Sequence, residues 1–235
     1  MSQLIRNPRS GEQGNSIVEF ALVSVFLVPL LIGTFTIGMG LNRSLGVASF
    51  TRDIGAMFVT NSVDFSQSGA QTIAVRLANG LGLDNTGNTG YTGGTSGTGE
   101  VILSGVLRVG TRECNTLSTT ALQNSCKTEI GNDTIERYVF LRRIIIGNNT
   151  RGASYFGAPT CAQNSDGTIP SSSYMTLPLS TNCAAINATT FSGVLALQPS
   201  ENTYIVETHF DAPELNVFKL DGTMTPTHFY VRNLF

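Results

Sequence analysis

Apolar residues run almost unbroken from Ile17 to Leu41 (IVEFALVSVFLVPLLIGTFTIGMGL), and Glu19 is the one charge among them. At about 1.5 Å per residue, a helix of this length crosses about 30 Å of hydrocarbon. A secretory signal has a shorter apolar region with a small-residue cleavage site close behind it. Here the nearest such site, Gly46-Val47-Ala48, lies well past the run, which predicts a retained membrane span. From 42 to 60 the pattern changes: Val47, Phe50, Ile54, Met57 and Phe58 recur at helical spacing between polar residues. This predicts that the anchor helix continues outward and lays an apolar stripe on a domain. A second helix is expected from Ser68 to Leu81, with Gly82 as its stop.

Strand patterns follow. Val101–Val109 and Ile135–Ile146 are rich in β-branched and aromatic residues. In the second, strict alternation puts Tyr138, Phe140, Arg142 and Ile144 on one face and Val139, Leu141, Arg143 and Ile145 on the other. Three more strands are expected at Phe191–Leu197, Thr203–Phe210 and His228–Val231, with Asp211-Ala212-Pro213 ending the middle one. Between these lie polar stretches. Residues 84–99 (DNTGNTGYTGGTSGTG) read as a flexible Gly/Thr loop; without G-K-[ST] they are not a phosphate loop. Residues 147–185 are polar and carry Pro159, Pro170 and Pro178.

Composition narrows the function. Charged residues are 13% of the chain, about half the globular average, while Gly, Ser, Thr and Asn abound. That balance fits an extracytoplasmic β-rich domain better than a cytosolic enzyme. The formal net charge of -2 leaves no basic field for a polyanion, so nucleic acid is not an expected partner. Four cysteines, Cys114, Cys126, Cys161 and Cys183, stand outside the span, an even count that fits an oxidising compartment. Three pairings are possible, and local closure of each polar loop favours Cys114–Cys126 with Cys161–Cys183. Free thiols or a zinc site are the alternatives, but there is no C-x-x-C and the two histidines are distant. The positive-inside count is nearly balanced, with Arg6 and Arg9 before the span and Arg43 and Arg52 after it. The cysteines therefore set the expected orientation, with the larger domain outside.

Candidate chemistry is sparse. Asp64-Phe65-Ser66-Gln67-Ser68 has the D-x-S-x-S form of the metal site in von Willebrand A domains, but Asn61 and Ser62 break the apolar strand that should precede it. The plainer expectation is that Asp64, Ser66 or Ser68 caps the second helix. His209 and His228 have no accompanying nucleophile motif such as G-x-S-x-G and are expected at the surface; Glu207 and Asp211 are a commonplace carboxylate spacing. No catalytic residue, metal or cofactor is assigned. Glu19 admits two readings: a boundary residue whose head reaches the interface, or a carboxylate kept for a partner charge.

The segment Gly14-Asn15-Ser16-Ile17-Val18-Glu19-Phe20 resembles the cleavage motif of type IV pilin-like proteins: Gly, four residues, Glu, an aromatic, then a hydrophobic helix. The wider stretch from Gly11 to about Phe58 is similar to the TadE-like proteins of tight-adherence (Tad) pilus systems. Gly11-Glu12-Gln13-Gly14 matches their leader end, Ser16–Val23 the start of the mature helix, and Pro29-Leu30-Leu31 the proline within the span. Arg52-Asp53 with Gly55-Ala56 resembles their Ala-Arg-Glu-Gly-Ala stretch. Ile54 interrupts that run, and Thr36 and Met39 stand around Gly38 where an acidic residue and an Arg are common, which leaves the subtype open between TadE, TadF and a looser relative. The resemblance implies a prepilin peptidase cut between Gly14 and Asn15, with Glu19 and Phe20 serving assembly. It also implies partners among other Tad pilins or pseudopilins and assembly-platform proteins, with lipid of a bacterial inner membrane around the span.

The combined expectation is an α+β chain: a leader at 1–14, a transmembrane and extended helix at 15–60, and an extracytoplasmic domain at 61–235 built as a mostly antiparallel sheet against that helix. It is expected to be single-pass, with a cytoplasmic N-terminus, and to act as a minor pilin or pseudopilin. The alternatives are a membrane-anchored binding or adhesion protein without a pilus role, and a tethered periplasmic enzyme.

Overall fold

The computed structural model describes residues 13–218 and 224–235. The expected leader at 1–14 lies outside the described residues except for its last two positions. The chain forms two compact units, one ending at Arg43 and one spanning Ser44–Phe235.

The first helix, α1 (Gln13–Val59), runs through Pro29 without a break in assignment. It is the one helix among the described residues long and apolar enough to cross a membrane. In the first unit its apolar side chains are exposed on every side, including Ile17, Phe20, Phe26, Leu30 and Phe35. A helix apolar all round needs a non-aqueous surround. Its hydroxyls are turned inward onto the helix: Ser24 Oγ donates to the Phe20 carbonyl, Thr34 Oγ1 to Leu31 and Thr36 Oγ1 to Gly33. Polar groups satisfied within one helix are what a hydrocarbon surround requires.

In the second unit the last turns of α1 pack on a sheet. Val47, Phe50, Ile54 and Phe58 are buried and Met57 partly so, which is the stripe read from the sequence. They meet Val101, Leu103, Ile144, Ile146, Val206 and Phe210. Phe50 meets Phe210 edge-on at 5.7 Å, and Phe58 meets Tyr204 at 5.3 Å. Inside this apolar layer Thr51 Oγ1 bonds both the Val47 carbonyl (2.7 Å) and Thr208 Oγ1 (2.8 Å). The two buried hydroxyls thus satisfy each other and fix the helix in register on the sheet. Gly55 lets the Phe235 ring lie against the helix where any side chain would overlap it.

The sheet is formed by β1 (Thr92–Gly94), β2 (Gly99–Arg108), β3 (Tyr138–Asn148), β4 (Ala185–Ile186), β5 (Asn202–Phe218) and β6 (Met224–Leu234). Its order is β1-β3-β2-β5-β6, with β4 also on β3. Only the β1–β3 pair is parallel. The far face of the sheet is covered by a second core, in which Tyr138, Phe140, Phe156, Phe191 and Ile205 are buried. Cys114 and Cys126 form a disulfide fully buried in that core, and Cys161 and Cys183 form a second, partly buried one.

Several local expectations are corrected. The helix α2 (Ser68–Leu77) stops four residues before Leu81, because Gly80 takes a left-handed φ of 79°. None of Asp64, Ser66 or Ser68 caps it: Gln67 holds the N-cap position with no side-chain bond. Asp64 instead accepts from Ser66 and pairs with Arg142 at 2.7 Å, tying the loop after α1 to β3. The 84–99 segment is not featureless, since it supplies β1. The expected strand at Phe191–Leu197 does not form: a short helix, α6 (Ala188–Ser192), capped by Asn187, takes in its first two residues, a turn and irregular chain follow to Leu197, and Phe191 enters the core beside Tyr138. The cysteine loop at 111–129 holds two helices, α3 (Thr111–Cys114) and α4 (Thr120–Glu129), and a third, α5, covers Ser171–Tyr174. β5 does not end at Pro213; it continues to Phe218 with a register shift between Ala212 and Val217, where a residue without an N–H cannot hold the ladder. Finally, strict alternation in β3 fails. Gly105 pairs with Arg142 and Val106 with Phe140, so Leu141 is a bulge residue. Phe140 therefore shares the far face with Arg143, whose guanidinium lies 5.9 Å from its ring, while Arg142 lies over Phe58 of α1.

Candidate functional site

Two regions hold candidate chemistry, one in each unit. The first is the start of α1. Gly14 and Asn15 lie in its first turn, with side chains outside the described residues. Glu19 and Phe20 are exposed, Phe20 at 75%. Glu19 stands one helical turn after Asn15 in the sequence of α1. A carboxylate there is presented beside a wholly apolar surface.

The second region was not anticipated. It is a polar cluster on the far face of the sheet, beneath the loop at 149–157. Alternation puts Glu207, His209 and Asp211 of β5 on this face, and pairing puts Arg232, Tyr230 and His228 of β6 directly opposite them. Glu100 of β2 pairs with His209, and Arg143 of β3 joins from the other side. Glu100 and Glu207 are each 1% exposed, His209 6% and Arg143 7%. Glu207 is held by three donors: Tyr230 Oη at 2.7 Å, the Tyr155 N–H at 2.8 Å, and Ser154 Oγ. Glu100 accepts from the Gly152 N–H at 2.9 Å. Arg143 donates to the Gly157 carbonyl. Arg151 pairs with Asp211 at 3.1 Å. The loop is thus fastened to the sheet by two buried carboxylates, and Arg232 stacks on its Tyr155 and Phe156 rings.

His209 is consequently not a surface residue. Its ring lies on Tyr230 at 4.8 Å and is roofed by Gly152, where a methyl group would overlap the imidazole. Its Nδ1 faces His228 Nε2 at 3.2 Å, and His228 Nδ1 faces Asp211 Oδ1 at 2.7 Å. Burial pushes the Glu100 carboxyl up to about 7, against the pull of the Gly152 N–H and Arg143. Burial, then His228, holds His209 below the ordinary histidine value. Burial and the Glu207 bond raise the Tyr230 phenol. Burial lowers Arg143, with Glu207 and Glu100 opposing. Chemically the cluster can store and pass protons. Its covering is the chain's own loop. Among the described residues no group of three or more His, Cys, Asp or Glu side chains is placed to hold a metal ion.

A signal for this cluster exists in the sequence. Glu207-x-His209-x-Asp211 and His228-x-Tyr230-x-Arg232 are polar residues at strand period, alternating with Thr208, Phe210, Phe229 and Val231. Glu100, Arg143 and Ser154 carry no comparable mark, because only tertiary pairing brings them in.

No protein-family model matches the chain, and no characterised protein or solved structure matches it either.

Proposed function

We propose that the chain is a membrane-anchored extracytoplasmic subunit that works by packing and recognition, and that its anchor is of pilin type. On this reading it is a TadE-like minor pilin or pseudopilin of a tight-adherence pilus. A prepilin peptidase removes the leader after Gly14 at the cytoplasmic face of the inner membrane. The observation that carries the proposal is the first half of α1, with apolar side chains exposed all round and one carboxylate near its start. Such a helix satisfies its own backbone and leaves its surface for lipid or for like helices.

Cleavage would free the α-amino group of Asn15 one turn from Glu19. In a helical assembly that cation can meet the Glu19 carboxylate of a neighbouring copy or related pilin. The desolvation of such a pair offsets much of its attraction, so its use is register between subunits. The test is Glu19→Gln in cells carrying the pilus system. Loss of the subunit from sheared surface fibres, with normal membrane levels, supports the pairing role; unchanged incorporation refutes it.

A second reading is a membrane-anchored binding or adhesion protein without a pilus role. It is favoured by the same anchor and folded domain, since neither requires cleavage or a fibre. An intact N-terminus in cells with active prepilin peptidase would select it.

A further inference from the structure

The Asp211–His228–His209 chain plays no part in anchoring, and its geometry limits how many protons it can hold. A carboxylate only accepts, so His228 Nδ1 carries the proton toward Asp211 Oδ1. With His228 neutral, its Nε2 is an acceptor, and the network assigns the donor to His209 Nδ1. One added proton leaves a single N–H between the rings, whichever ring carries the charge, so the bond persists. A second added proton sets N–H against N–H across 3.2 Å and places two cations with ring centres 5.4 Å apart. That bond cannot survive. His209 cannot simply turn away, because it is 6% exposed, stacked on Tyr230 and roofed by Gly152. The ring can move only if the loop above it moves.

We propose that residues 150–156 form a proton-released latch: the second proton taken up by the His209–His228 pair breaks the bond between them and lifts the loop off the sheet. Lifting uncovers Glu207 and Tyr230, now held beneath Ser154 and Tyr155.

The charges facing the pair come from every neighbouring element. They are Glu100 of β2, Arg143 of β3, Glu207 and Asp211 of β5, Arg232 of β6 and Arg151 of the loop. Burial and His228 disfavour a charged His209, and Glu207 and Asp211 oppose them. A group whose protonation is disfavoured in the closed state favours opening as the pH falls. Glu100 acts in the other sense. Its carboxyl, raised by burial to about 7, holds its proton best with the loop shut, so its protonation favours closure as the pH falls through that value. Removing this opposing group should reveal the histidine step.

The test is amide exchange of 150–156, read by mass spectrometry on the full-length chain in detergent with disulfides intact. Wild type, Glu100→Gln, and Glu100→Gln with His228→Gln are compared in steps from about pH 7.5 down to about pH 5, after correction for intrinsic exchange. The latch requires a rise of about tenfold or more toward acid in Glu100→Gln, a smaller rise in wild type, and about twofold or less in the double variant. The chain has two histidines, so their imaginable overlap is small and their ring-proton resonances report both titrations; the lower midpoint must coincide with the exchange step. A flat Glu100→Gln chain, an equal rise in the double variant, or a midpoint away from the step overturns the latch.

Discussion

Replacing Glu100 by Gln should make the protein more stable, and only at neutral to alkaline pH. Glu100 is 1% exposed, and its carboxyl is raised from 4.5 to about 7. The folded chain therefore binds this proton more tightly than the unfolded chain does. Stability from this group is complete below the unfolded value and is lost as the pH rises through the folded one. Moving from 4.5 to about 7, at about 1.4 kcal/mol per tenfold change in proton affinity, gives an upper cost of about 3 kcal/mol for the ionised group at pH 8. Gln keeps the shape and can still accept from the Gly152 N–H, but it carries no charge to desolvate. We expect Glu100→Gln to gain about 1–3 kcal/mol at pH 8 and almost nothing at pH 4.5, where wild type also holds the proton. The assay is a urea titration of the full chain in a mild detergent, followed by far-ultraviolet circular dichroism at both pH values. A variant no more stable than wild type at pH 8, or a gain equal at both pH values, would refute the argument that burial dominates at this carboxyl.

Three further outcomes follow from the packing. Phe50→Ala removes a fully packed ring between α1 and Phe210 and should cost about 3–5 kcal/mol in the same titration. Gly152→Ala forces a methyl group onto the His209 ring and should cost about 1–3 kcal/mol, with faster exchange confined to the 150–156 segment. Replacing Cys114 and Cys126 together by Ala opens a loop within the far core and should cost about 2–5 kcal/mol, seen as a lower urea midpoint.

The large features were legible because each rests on a strong local pattern. The span declares itself by uninterrupted apolarity. The α1 stripe at Val47, Phe50, Ile54 and Phe58 declares itself by helical spacing, and all four are buried against the sheet. What escaped depended on distant partners. Phe191–Leu197 has strand composition, yet Asn187 caps a helix there and Phe191 is drawn into the core. The bulge at Leu141 exists only relative to β2 and turns Arg143 toward Glu100 and Glu207. His209 looked like a surface residue because its burial is supplied by Gly152, a residue of a distant loop. The polar stripes of β5 and β6 were visible as alternation, but only their pairing makes a cluster of them.

The pilin-type reading of the anchor is tested most directly by the mass of the mature N-terminus, measured on protein from cells with and without their prepilin peptidase. The account predicts a chain beginning at Asn15 that appears only when the peptidase is present. A chain retaining Met1 or Ser2 in both strains would contradict it and leave a membrane-anchored binding domain with no pilin-type processing.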